Sequence, residues 1–277
     1  MKGLIVTADD FGAAEEVNDA VEQAHREGIL TAASLMVSAP AAGDAAARAR
    51  EMPRLRVGLH LVLVEGRPTL PPSSVPDLVD ADGMFRADMT SAAIRMFFLP
   101  RVRRQLEAEI EAQFDAFRAT GLDLDHVNTH KHFHLHPTIA SAILRVGKRY
   151  GLRAIRVPLE PHDVLARADP AAKLSPAYVT TPWALLSRAR FRAAGLKVPD
   201  QVFGLAWSGA MTAARVAGLL ENLPDGLSEI YLHPATGPYR GSAPGYRYSE
   251  ELAALVAPRI VEASRNSAIA RGGFADF

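Results

Sequence analysis

Cysteine is absent from all 277 residues. That absence removes thiolate metal sites, cysteine nucleophiles and disulfides together. It is compatible with a reducing compartment. An excess of either charge is absent too, with 31 basic and 31 acidic residues. A dedicated nucleic-acid binder carries a basic surplus, so no nucleic acid is expected as a partner. No stretch approaches the ~20 apolar residues of a membrane helix. The opening Met1-Lys2-Gly3-Leu4-Ile5-Val6 soon meets Asp9-Asp10. It is too short for a signal-peptide core and has no small-residue cleavage site. A cytoplasmic location is expected. Transient contact with the inner membrane face stays open, because an apolar substrate groove leaves no compositional trace. A homo-oligomer stays open for the same reason.

Hydrophobic residues make up 48% of the chain and charged residues 22%. The charged share is close to the ~25% of an ordinary globular protein, which excludes a disordered chain. This length suits one α/β barrel, so residues 1–277 are expected to form a single domain.

Short apolar runs alternate with helical stretches. Residues 4–8, 31–37, 56–63, 124–129, 154–157, 202–205 and 228–232 read as buried strands. Val17, Val21 and Ala24 recur at helical spacing and Gly28 stops that helix. Further helices are expected at 41–51, 137–150, 182–194, 212–220 and 249–256. Pro137 suits a first helical turn, where its missing N–H costs nothing. This order implies a parallel sheet covered by helices. About seven strands favour a distorted (β/α) barrel over an open doubly wound sheet. Residues 65–85 hold four prolines and no helical period; they read as a substrate-side loop, or as a plain insertion. The segment 161–200 is also elaborated, broken by Pro161, Pro170, Pro176 and Pro182. There is no internal repeat.

The strand ends carry polar residues. Thr7-Ala8-Asp9-Asp10-Phe11-Gly12 sets two carboxylates where a buried strand ends. One aspartate would serve as a helix cap; two repel unless a cation or proton lies nearby. His60 interrupts an apolar strand, as a core histidine or a site residue. Residues 126–137 hold five of the nine histidines. Extended chain would put His130, His132, His134 and His136 on one side; a helix would pair His130 with His134. Neutral imidazole is the commonest metal ligand. His233 ends another apolar run. On a barrel these ends converge on one face. One carboxylate and two imidazoles make a three-ligand site with room for water. Such a set suits Zn²⁺, Mn²⁺, Fe²⁺ or Co²⁺ better than Mg²⁺.

The order of these motifs resembles the YdjC-like (ChbG/HpnK-type) carbohydrate deacetylase family. The matching stretches are Ala8-Asp9-Asp10-Phe11-Gly12, Gly58-Leu59-His60, the tract from Asn128 to His134, and Leu232-His233-Pro234. They span nearly the whole chain. Arg156-Val157-Pro158-Leu159-Glu160-Pro161 and Phe203-Gly204-Leu205-Ala206-Trp207 resemble the branch associated with hopanoid biosynthesis. The resemblance implies a deacetylase-like barrel with one divalent metal, Mg²⁺ included. It implies an N-acetylated amino sugar as substrate, carried for this branch on a hopanoid glycolipid. It carries the metal ligands onto Asp10, His60 and His130, the base onto Asp9 and the acid onto His233. Asn128-Thr129 stands where the family often has Asp-Ser, and Lys131 where it often has a histidine.

Arg156 is expected to pair with Asp9 and hold it ionised; the alternative is a surface or phosphate-facing arginine. His134, His132 and Trp207 are candidates for substrate binding. His134 is alternatively a supporting partner, and Trp207 alternatively core. Three rival functions remain. One is a phosphoesterase-type metal hydrolase on the same barrel, against which the lack of a Gly-rich phosphate loop counts. The others are a non-catalytic sugar- or lipid-binding protein, and a metal carrier using the histidine tract.

Overall fold

The computed structural model describes residues 2–172, 176–265 and 268–277. Seven strands form one sheet: β1 (Lys2–Phe11), β2 (Ala32–Leu35), β3 (Arg56–Leu61), β4 (Val127–Thr129), β5 (Gln201–Phe203), β6 (Gly226–Leu232) and β7 (Ile269–Arg271). Every pairing is parallel. The order is β4-β3-β2-β1-β6-β5. β6 takes one edge of β1. The other edge is shared by β7, at Lys2 to Leu4, and β2, from Thr7 onward. β1 is the hydrophobic axis: Leu4, Ile5, Val6, Ala8 and Phe11 are fully buried. A parallel strand covered on both faces requires such continuous apolar sequence.

The expected strand at 154–157 is not a ladder. Val127 bridges Ile155 and Ala154 bridges Lys197, each as an isolated parallel bridge. Pro158 follows, and proline has no N–H with which to extend pairing. These bridges extend the sheet beyond β4, and the Val202 N–H of β5 donates to the Leu159 carbonyl at 2.8 Å on the same segment. β7 had no counterpart among the expected strands; only its first residue, Ile269, is buried.

Helices follow the strands in sequence. Glu15–Glu27 follows β1, Ala42–Arg50 follows β2, and Pro137–Arg149 follows β4. Thr181–Ala193, Ala213–Glu221 and Tyr248–Val256 fall within a residue or two of their expected positions. Residues 173–175, inside the elaborated segment, lie outside the described residues. Among the described residues four helices were not expected: Met89–Phe98, Pro100–Ala119, His162–Ala168 and Pro258–Ser264. Among the described residues, no helix is long and apolar enough to cross a membrane.

The helix Pro100–Ala119 organises the Pro-rich loop. Leu106, Ile110, Phe114 and Phe117 recur at helical spacing and are buried. Glu109 and Gln113 are buried on it as well, and serve the loop backbone. Glu109 accepts from the N–H groups of Thr69 and Leu70 (2.8 and 3.0 Å), and Gln113 bonds both backbone groups of Val62. Val75, Leu78, Val79 and Phe85 join the core. The loop is thus packed and pinned, with Glu65 left at the pocket described below.

Phe114 is buried against Tyr150, with ring centroids 5.1 Å apart. Phe114→Ala is expected to cost about 3–5 kcal/mol through lost burial and a residual cavity. Urea denaturation checks this; a cost below about 1 kcal/mol would show that the helix does not anchor the core.

Candidate metal centre and active site

Successive residues of a regular strand face opposite ways, so Asp9 and Asp10 should diverge. They do not. The β1–β2 register shifts between Ala8 and Phe11, and Asp10 has a left-handed φ of 62°. The bulge re-aims one side chain, and both carboxylates line one pocket. Aspartate tolerates this backbone better than most residues. Gly12 then turns the chain at φ 93°, where an added Cβ would lie 3.1 Å from the Ala42 Cα.

Three segments bring ligand-type atoms together. Asp10 comes from β1, His60 from β3, and His130 directly follows β4. One donor atom from each lies within 4.8 Å of the others. Asp10 Oδ1 is 3.3 Å from His60 Nε2 and 3.5 Å from His130 Nδ1. Among the described residues, Asp10 Oδ1 and His60 Nε2 are buried without hydrogen-bond partners.

Hydrogen bonding fixes which imidazole nitrogen of His60 carries a proton. Asn128 donates its amide N–H to Asp9 Oδ1 (3.0 Å) and to Ser34 Oγ (2.8 Å). A carboxylate can only accept, so the amide orientation is set. Asn128 Oδ1 must then face His60 Nδ1, at 2.7 Å, and accept its proton. In the neutral ring, Nε2 is left as a lone pair pointed at a carboxylate oxygen. Two such acceptors in a buried space repel unless a cation or a proton lies between them. The three residues therefore fit a divalent metal ion.

Asp9 is held differently. Arg156 grips both carboxylate oxygens, at 2.5 and 2.9 Å, and Ser34 donates to Oδ1 at 3.0 Å. Burial pushes the Asp9 carboxyl upward, but the guanidinium charge overrides it and holds the group well below the usual carboxylate range. Arg156 is itself fully buried between two carboxylates. Glu229 Oε1 accepts from its Nε and Nη2, at 3.0 and 2.7 Å, and also from the Thr7 hydroxyl. The Tyr231 ring lies 4.5 Å from the guanidinium carbon.

The pocket over these residues holds about 540 Å³ and includes His132 and His233 in its lining. Glu251 is buried and accepts the His233 backbone N–H at 2.5 Å, fixing that strand end. Tyr239, Tyr246 and Tyr248 form an aromatic wall, with Ser208 bonded to the Tyr246 hydroxyl at 2.8 Å. Glu65 pairs with Lys131 at another side.

The histidine tract is neither extended nor a regular helix. Lys131 and His132 both have left-handed backbone, φ 55° and 53°, inside a short 3-10 turn. His130 and His132 reach the pocket. His132 lies 3.1 Å from the Tyr231 hydroxyl, and burial holds its imidazole well below its ordinary pKa. His134 does not reach the pocket, which corrects its expected substrate contact. It is fully buried. The Arg156 carbonyl can only accept, so His134 Nε2 carries the proton and donates to it at 2.8 Å. Nδ1 of the neutral ring then accepts from the Thr129 hydroxyl (2.7 Å), whose oxygen also accepts the His134 backbone N–H (3.0 Å). Burial lowers the His134 pKa to about 3, so the ring is a neutral brace under Arg156. Trp207 is core, 5% exposed, with Arg215 over its ring at 5.0 Å.

Sequence reasoning missed Ser34, Glu229, Tyr239 and Tyr246. Glu229 carried a signal, since a charged residue sits inside the apolar run of β6. The tyrosines lie in a Gly- and Pro-rich stretch with no period.

A model of the YdjC-like protein family matches residues 3–266. The chain belongs to this family. A carbohydrate deacetylase of Geobacillus stearothermophilus is 31% identical over 262 residues, covering 93% of this chain and 90% of that protein. One of Brevibacillus brevis is 40% identical over 156 residues, covering 56% of this chain and 58% of that protein. An Enterococcus faecalis V583 crystal structure, of a protein proposed to cleave cellobiose phosphate, superposes with a TM-score of 0.77. It is 24% identical and covers 99% of this chain and 98% of its own. That likeness shows a shared fold.

Asn128→Ala should leave the fold intact and lower Zn²⁺ affinity about 10–100-fold, because His60 loses the partner that orients it. Competition with a chromogenic chelator measures this; unchanged affinity would remove Asn128 from the supporting role.

Proposed function

We propose that this YdjC-like protein is a metal-dependent carbohydrate deacetylase that hydrolyses the acetamide of an N-acetylated amino sugar. The observation that carries the reading is the division of labour between adjacent aspartates. Asp10 faces two imidazoles, whereas Asp9 is tied to Arg156 beside them and is free of ligand duty. The names of the curated relatives support the same chemistry. Asp10, His60 and His130 would hold the ion, and a nitrogen-rich set of this kind suits Zn²⁺, Mn²⁺, Fe²⁺ or Co²⁺. A divalent ion there supplies polarisation of the acyl carbonyl and acidification of water.

The residues of the chain do the rest. Asp9 stays a carboxylate and accepts the proton of the attacking water. Arg156 holds that carboxylate in one orientation, and Glu229 and Thr7 hold Arg156. The water oxygen bonds to the acyl carbon, the C–N bond breaks, and protonated His233 gives its proton to the departing amine. Acetate and a free amino sugar result. The tyrosine wall offers rings for sugar faces, and His132 offers a neutral nitrogen to a sugar hydroxyl. For the acceptor we propose a hopanoid glycolipid, supported by the resemblance of the stretches around Arg156 and Phe203.

Asp9→Asn is expected to reduce turnover at least about a hundredfold while stoichiometric metal remains bound. His233→Ala should lower kcat by about a hundredfold or more with little change in KM. Acetate release from N-acetylated sugars by metal-replete protein, with bound metal measured alongside, checks both. Phosphate release without acetate release, or an unchanged rate in either variant, would overturn the assignment.

A further inference from the structure

Every large apolar side chain that is exposed among the described residues falls in two stretches, 94–99 and 179–186. Phe98, Trp183 and Leu186 are 67%, 60% and 65% exposed. Both stretches flank the start of the helix Pro137–Arg149. Phe97 meets His136 edge-on, with centroids 6.1 Å apart, and Arg190 donates to Pro137 O and Ser141 Oγ. Their charge is one-sided. Residues 89–106 and 176–199 hold eight Arg or Lys and no Asp or Glu, in a chain whose totals balance. Asp77 and Asp200 neutralise part of this. Among the described residues Arg103, Arg104 and Arg190 form no ion pair; Arg103 donates to the Met96 and Phe97 carbonyls and Arg190 to that of Pro137.

We infer that this face docks on an anionic lipid surface. Aromatic and leucine side chains beside arginines whose charge no carboxylate neutralises are what an interfacial helix presents to acyl chains and headgroups. A second copy fits less well, since a two-fold contact sets each arginine cluster against itself. The face also leads inward. Leu185 lines a cavity of about 220 Å³ with Leu159 and Tyr178, and its Leu205 also lines the catalytic pocket. An apolar group drawn from a lipid surface would thus meet Leu159, Leu185 and Leu205 next to the site, with Glu160, Arg188 and Asp200 in the same lining. The inference goes beyond the deacetylase reading and does not depend on it.

Vesicle flotation of the full-length chain tests this, with phosphatidylcholine alone against phosphatidylcholine containing phosphatidylglycerol. Binding to the anionic vesicles should be at least about tenfold tighter and should weaken with salt. The combined variant Phe98→Ser, Trp183→Ser, Leu186→Ser should lose at least about tenfold in partition with an unchanged thermal melt. Arg104→Gln, which leaves the apolar residues in place, should lower the preference for anionic vesicles about fivefold. Failure of the native chain to float, or equal flotation of the serine variant, overturns the inference. So does a concentration-dependent dimer that the serine substitutions dissociate. Because flotation reads partition and not acetate release, such a failure leaves the deacetylase reading standing.

Discussion

One forced chain of hydrogen bonds organises the site. Arg156 is a permanent cation, so Asp9 must be an anion and an acceptor. An anionic Asp9 sets the Asn128 amide, and Asn128 sets the His60 tautomer. The last member is the second imidazole nitrogen, aimed at Asp10 and open to a cation. Four side chains from four separate segments thus transmit one constraint, and each step allows only one polarity.

The fold supplies what that chain needs. The sheet buries Arg156 completely, which makes its pairing with Asp9 and Glu229 strong but leaves no room for an unpaired partner. The Glu229 carboxylate shares the guanidinium, so the arginine is braced from the side away from the substrate. Below it, His134 holds the Arg156 carbonyl. The supporting residues are as buried as the hydrophobic core. The pocket wall is different: Tyr239 and Tyr246 sit on a loop rich in glycine and proline, where the substrate side of the site can vary without disturbing the centre.

Much of this was legible in the sequence, for reasons that can be stated. Buried parallel strands read as continuous apolar runs, so a polar residue at their ends stands out; Asp9, Asp10, His60 and His233 were found in that way. The tract around His130 was found by composition. Its geometry was not legible, because left-handed backbone at Lys131 and His132 breaks both expected periods. The placement of His134 under Arg156 is a tertiary fact with no local signature. The helix Pro100–Ala119 left a clear apolar spacing and a proline at its start, but its arginines and glutamates masked the pattern. The strand at 154–157 failed because Pro158 ends the pairing its apolar residues promised.

Among the described residues, four other than glycine have left-handed backbone: Asp10, Glu65, Lys131 and His132. All four line the pocket. Such conformations cost of order 1–3 kcal/mol each, so conformational tension is concentrated around the reacting centre and is held there by the rest of the molecule. Lys131 makes only a rim ion pair with Glu65, and glycine would relieve its backbone at little chemical loss. Asp10 has no such substitute, because the same twist that burdens it also delivers its carboxylate to the two imidazoles. Heat tolerance and chemical competence therefore pull in the same direction at one of these positions and in opposite directions at the other.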